Sequence, residues 1–159
     1  MQTKIFRIGD AKHATRTFNK EDVERFSKIS GDYNPLHLDK EYAKTTIFKR
    51  RVVHGALINA MFSSLLGTHL PGEGSIYCNQ ETRFTQPVFI GDSITATVQI
   101  ESIDYEKKRI VLSTTAKNQN HDTVLKGKAM VLYPALKERN ELHESSIKHA
   151  THLSTKNAT

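Results

Sequence analysis

Apolar and polar residues alternate along much of the second half of the chain, whereas one stretch near the middle is apolar on nearly all sides. Between Ser93 and Ile103, Ile94, Ala96, Val98 and Ile100 stand against Thr95, Thr97, Gln99 and Glu101, a two-residue period that predicts a half-buried strand. Tyr105-Glu106-Lys107-Lys108 supplies a hairpin turn, Arg109 to Lys117 a return strand, Gln119-Asn120-His121-Asp122 a second turn, and Thr123 to Tyr133 the last strand. Together they predict an antiparallel meander. Upstream of it, Ser75 to Thr85 alternates irregularly, Gln86-Pro87 interrupts the pattern, and Gly91-Asp92 marks a turn.

The apolar stretch runs from Val52 to Gly67. From Gly55 onward it is rich in helix formers, with Gly67 placed to end it, and this predicts a helix buried within the fold. Such a helix needs cover on all sides, which a strongly curved sheet wrapped about it provides. The expected class is therefore α+β, with one domain over residues 1–134. Nearer the N-terminus, His13 to Phe18 alternates weakly, and Asn19 reads as the N-cap of a helix through Val23, Phe26 and Ile29, with Asp22 in its first turn. Asp39 is suited to cap a short turn through Glu41, Tyr42 and Ala43, followed by a basic connection from Lys44 to Arg51. Residues 135–159 differ in kind, being mixed in charge and sparse in apolar groups. They read as a tail: an exposed helix over Ala135 to Glu144, then disorder. His143, His149 and His152 have no carboxylate or thiolate at ligand spacing, so the tail is expected to be solvated and to hold no metal.

Composition narrows the class further. The 159 residues include 37% hydrophobic and 25% charged residues, as in an ordinary globular domain, and no segment has the apolar length to cross a bilayer. Met1 to Lys12 lacks the apolar core of a secretory signal. The single cysteine, Cys78, has no internal partner, which favours a reducing compartment, and the cytoplasm is expected. A net charge of +6 raises the question of nucleic acid. The basic residues are interspersed with acids, however, and only Lys49-Arg50-Arg51 forms a compact run, so no nucleic-acid partner is expected. That run would equally suit the phosphates of a small molecule or a solvated loop.

Candidate chemistry concentrates in Ser30-Gly31-Asp32-Tyr33-Asn34-Pro35-Leu36-His37. Asn34 is pushed out of the α region by Pro35, which fixes its own φ and has no N–H, so the chain must bend. The bend can bring Asp32 and His37 to one side of the loop, as an acid–base pair able to share a water. Spacing alone leaves open a second reading, a solvated turn in which Asp and Asn bond their own backbone. Gly55, Asn59 and Ser63 recur every fourth residue on one helix face. Gly55, at a helix N-terminus, would let a ligand oxygen approach free N–H groups, with Ser63 farther along to hold a polar group. Asn59 and Ser63 are equally readable as satisfied polar groups in a packed helix. His54 reads as a capping or packing residue.

In the order and spacing of Gly31-Asp32-Tyr33-Asn34-Pro35-Leu36-His37-Leu38-Asp39, Val52-Val53-His54-Gly55, Leu66-Gly67 with Leu70-Pro71-Gly72, and Phe84 through Pro87-Val88 to Gly91-Asp92, the chain resembles the MaoC-like (R)-specific enoyl-CoA hydratases of the hotdog superfamily. The resemblance covers roughly residues 5–133 and implies a single hotdog domain, a long central helix wrapped by a curved antiparallel sheet. It also implies a homodimer with active sites at the subunit interface. Asp32 and His37 would be the catalytic pair. Gly55, as oxyanion donor, Ser63, and Asn34, which supports the pair, would form the substrate-binding set. The substrate would be a trans-2-enoyl thioester of coenzyme A or acyl carrier protein, hydrated to the (3R)-hydroxyacyl thioester with no metal or other cofactor. A thioesterase and a non-catalytic acyl-thioester binding module remain alternatives, since one fold hosts several functions. Retention of both Asp32 and His37 favours hydration.

Overall fold

The computed structural model describes residues 4–138. Strand β1 (Ala11–Thr17) leads into helix α1 (Lys20–Ser30), the short helices α2 (Pro35–Leu38) and α3 (Lys40–Thr45), the long helix α4 (Gly55–Thr68), and then strands β2 (Ile76–Phe84), β3 (Ser93–Asp104), β4 (Arg109–Lys117) and β5 (Thr123–Leu132). The five strands form one antiparallel sheet in the order β1-β3-β4-β5-β2. The expected meander is thus its centre. Strand β1 is added at one edge, and β2 crosses over to the other.

Helix α4 touches β1 and β2 as well as β3, so the sheet curls until both edges reach the helix. Register shifts in β3 between Ile100 and Ser102 and in β2 between Tyr77 and Asn79 add local twist and help it curl. The inward residues are those that the alternation picked out. Ile94, Ala96, Val98 and Ile100 meet Ile110 and Leu112 of β4, Leu125 and Val131 of β5, and Phe62, Leu65 and Leu66 of α4 in one cluster. Burying a side chain of this size contributes about 1.5–3 kcal/mol.

Four expectations need correction. Helix α4 is not covered on all sides: Ala56, Ala60, Ser63, Ser64 and Gly67 are exposed, because one sheet folded over a helix leaves the far face open. Gly67 does not end that helix, which continues through Thr68 with His69 at its C-cap. In α1, Val23 is buried but Ile29 is 84% exposed, and Ser27 takes the inward position instead. Ala135 to Glu138 are turn and coil rather than helix, and the rest of the expected tail helix lies outside the described residues, as do His143, His149 and His152. Leu136 packs into the core.

Capping chemistry sets the helix starts as expected. The Asn19 side chain accepts from the Asp22 N–H while the Asp22 carboxylate accepts from the Asn19 N–H, a capping box. Those bonds, with Arg16 at 2.6 Å from Asp22 Oδ1, hold the Asp22 carboxyl below its ordinary pKa. Asp39 Oδ1 accepts from the Glu41 and Tyr42 N–H groups and caps α3.

Candidate active site

The loop between α1 and α2 is built by side chains bonded to the backbone two residues ahead. Ser30 Oγ accepts from the Asp32 N–H at 3.2 Å, Asp32 Oδ1 from the Asn34 N–H at 3.1 Å, and Asn34 Oδ1 from the Leu36 N–H at 3.1 Å. Gly31, at φ 77°, caps the end of α1 in the left-handed region open to glycine. Pro35 stands at the first position of α2, where its missing N–H costs nothing. The bonds expected of a turn, with Asp and Asn bonding their own backbone, are therefore present in this loop. Asp32 spends one carboxylate oxygen on the turn and leaves the other free.

That free oxygen, Asp32 Oδ2, lies 4.0 Å from His37 Nε2. The separation is too long for a direct hydrogen bond but suits two groups that hold one oxygen atom between them. His37 Nδ1 donates to the Val52 carbonyl at 2.8 Å, since a carbonyl only accepts. The tautomer follows: in the neutral ring, Nε2 carries the lone pair and faces Asp32. The His37 side chain is only 12% exposed, whereas that of Asp32 is half exposed.

Behind this pair lies His54, 1% exposed and stacked on His37 with ring centroids 3.8 Å apart and planes 29° apart. It occupies the N-cap position of α4 without a side-chain capping bond. Its Nε2 donates to the Asp32 carbonyl at 3.2 Å and lies 3.3 Å from Ser27 Oγ, while its Nδ1 has no partner. Burial lowers the pKa of this imidazole, opposed by the bond to the Asp32 carbonyl, and a positive charge on His37 would lower it further. Among the described residues, Asp32, His37 and His54 are also close enough to consider as a metal cluster, with ligand atoms within 4.8 Å of one another. The donor chemistry fits poorly. His54 Nε2 is committed as a proton donor to the Asp32 carbonyl, so a cation there would have to break that bond.

His37 forms part of the wall of an apolar pocket of about 530 Å³, with Leu36, Phe48, Gly55, Ile58 and Phe84. Gly55 opens α4, and the first N–H groups of a helix lack intrahelical acceptors. A side chain at Gly55 would meet Phe84, whose ring atoms come within 2.6 Å of the place a Cβ would take. The pocket thus joins a titratable ring, exposed backbone donors and an apolar wall. Asn34 does not line it and acts through the turn, whereas Ser63 lies two turns along α4, exposed and outside this lining. Asn59, on the same helix face, is bonded to Thr82 of β2 at 2.8 Å. Of the basic run, Arg51 donates to the Leu38 carbonyl and Arg50 stacks 3.6 Å over the Phe89 ring, so two of its three cations serve the fold.

Sequence reasoning placed the Asp32 turn, His37 and Gly55 but did not predict the stack of His54 on His37 or the fit of Phe84 over Gly55. The available signal was a histidine inside the most apolar segment of the chain, directly before the helix glycine.

A curved antiparallel sheet folded over one long helix, with an aspartate and a histidine 4.0 Å apart beside the helix start, defines a hotdog-type enzyme domain. The chain belongs to the MaoC-like domain family, whose model matches residues 8–122. It is 39% identical to an (R)-specific enoyl-CoA hydratase of Aeromonas caviae over 134 residues, 84% of this chain and the whole of that protein. It is 35% identical to a mitochondrial 3-hydroxyacyl-[acyl-carrier-protein] dehydratase of Arabidopsis thaliana, covering 83% of this chain and 80% of the relative. The solved structure of an (R)-hydratase from A. caviae superposes with a TM-score of 0.79 at 40% identity, over 81% of this chain and 98% of the other. No helix among the described residues is long and apolar enough to cross a membrane.

Proposed function

We propose that this protein is an (R)-specific hydratase that adds water reversibly to trans-2-enoyl thioesters, with acyl-CoA as the favoured carrier and no metal or redox cofactor. The observation that carries the reading is the Asp32 Oδ2 to His37 Nε2 separation of 4.0 Å beside a pocket that also holds Gly55. Water bound between the two groups loses a proton to one of them as its oxygen bonds to C3. Electrons move through C2 to the thioester oxygen, where the N–H groups at the start of α4 stabilise the charge by ~3 kcal/mol. A proton then passes to C2 from the pair, giving the (3R)-hydroxyacyl thioester, and dehydration retraces the path. The apolar pocket accepts the acyl chain. The dehydratase relative from A. thaliana is named for acyl carrier protein substrates, which makes the carrier the first variable to test.

The protein is also proposed to act as a homodimer in the cytoplasm. The open face of α4 and the exposed Ile76, Tyr77 and Phe84 on edge strand β2 support a second copy as the missing cover. That copy would bring polar groups such as Ser63 to the site. The free, exposed Cys78 suits a reducing compartment.

The test is the loss of enoyl absorbance when crotonyl-CoA or longer trans-2-enoyl-CoA is mixed with the protein, followed by chiral analysis of the product. The expected result is rapid decay to the (3R) alcohol, lost in Asp32→Asn. Release of free thiol with the unsaturated acid as product would replace the reading by thioester hydrolysis, and binding without loss of the enoyl thioester would leave a thioester-binding module.

A further inference from the structure

We propose that His54 is a positioning residue: a buried imidazole that sets the plane of the His37 ring and the place of the Asp32 turn without itself touching substrate. The inference rests on the reading of Asp32 and His37 as the acid–base pair. Three contacts carry it. The His54 ring is stacked on that of His37, with centroids 3.8 Å and planes 29° apart. Its Nε2–H holds the backbone carbonyl of Asp32 at 3.2 Å, and Ser27 Oγ of α1 stands 3.3 Å from the same nitrogen. One side chain thereby braces both members of the pair from behind and ties them to two helices.

The ring is restricted to a single role. The Asp32 carbonyl can only accept, so the proton of the neutral ring sits on Nε2 and the lone pair on Nδ1. Nδ1 is buried with no partner, so a second proton there would be an unsatisfied buried donor. The groups facing the ring are His37 from α2, Asp32 from the loop, and the uncharged Ser27 and Phe26 from α1. A neutral ring stacked on His37 lets His37 take up and release a proton without a second imidazolium against it. Bulk at this position alone would not explain these features, because an apolar side chain would fill the space and leave no orphaned nitrogen.

The test uses His54→Phe, which keeps a flat ring but no donor, and His54→Gln, whose amide can restore the donor without the stack. Hydration is measured on the full-length protein together with circular-dichroism melting and ¹⁵N shifts of the His37 ring. For His54→Phe the expectation is a fall in kcat of ~10²-fold with KM changed less than about threefold, the signature of a misplaced reacting group. For His54→Gln it is partial rescue. In the wild type, His37 should show two distinct ring nitrogens with the proton on Nδ1; in His54→Phe these should move towards averaged shifts. Folded variants with wild-type kcat and unchanged His37 shifts would overturn the proposal. If His54→Phe fails to fold, the shifts and kcat of His54→Gln decide alone. Because the shifts need no turnover, a wild type inactive on every enoyl thioester would count against the proposed reaction while the bracing role was still judged.

Discussion

The inner face of the sheet and the Asp32–His37 turn are held by opposite kinds of force. In the sheet, Ile94, Val98, Ile110 and Leu112 are fully buried, and they share one cluster with residues as distant in sequence as Phe18 and Phe62. In the turn, Asp32, Tyr33 and Asn34 are exposed, and the bonds made by the side chains of Ser30, Asp32 and Asn34 reach only two residues ahead. Apolar burial is concentrated in the first region and the proposed acid–base groups in the second. The imidazole of His54 joins them, being as buried as the core yet bonded to the turn. Changes in the turn should therefore silence the enzyme and spare the fold, and changes in the sheet should do the reverse.

The sharpest break in that contrast comes from the turn itself. Asp32→Asn and His37→Gln are each expected to lower kcat by about 10²–10⁴-fold while the thermal midpoint moves little, as read by enoyl absorbance and calorimetry on the same samples. A large loss of stability in either variant would show that the turn carries the fold as well. On the other side, Phe62→Ala removes a fully buried ring from α4 and should cost about 3–5 kcal/mol in urea unfolding. Its kcat per folded molecule should stay near wild type below the transition.

A smaller effect separates the two regions by pH. The pKa of His54 is lowered in the fold, so between that value and the ordinary value near 6.5 the unfolded chain binds more protons than the native one. Stability from this source is present above about pH 6.5 and is lost as pH falls through the folded pKa. Melting temperature should drop on acidification below neutrality, with a shallower slope in His54→Gln. Smallest of all, Asn19→Ala breaks the capping box of α1 and should cost about 1 kcal/mol, with activity unchanged at 25 °C.

The fold was legible wherever the pattern is local and periodic. The alternation in β3, β4 and β5 and the caps at Asn19 and Asp39 specify structure within a few residues, and each appears where expected. The errors arise where a distant partner decides. Ile29 sits at helical spacing yet points to solvent, while Ser27 faces inward beside His54, a residue 27 positions away. The Asp32 turn could be read from Asn34-Pro35, but the stacking of His37 on His54 joins residues on separate elements and leaves no periodic trace in the sequence. Phe84 over Gly55 is of the same kind, a contact between an edge strand and a helix start made only when the sheet curls.

The pairing of β2 has a consequence for how the protein is made. Strand β2 precedes β3 and β4 in the chain, yet its hydrogen-bonded neighbour is β5, with Phe84 opposite Leu125 and Ile76 opposite Leu132. During synthesis the Asp32 turn and α4 leave the ribosome long before the strand that anchors one wall of their pocket. A nascent chain that has emerged only as far as β4 holds Asp32, His37 and Gly55 but has nothing to pin Phe84 beside them. That wall of the pocket is therefore completed only when the last strand arrives.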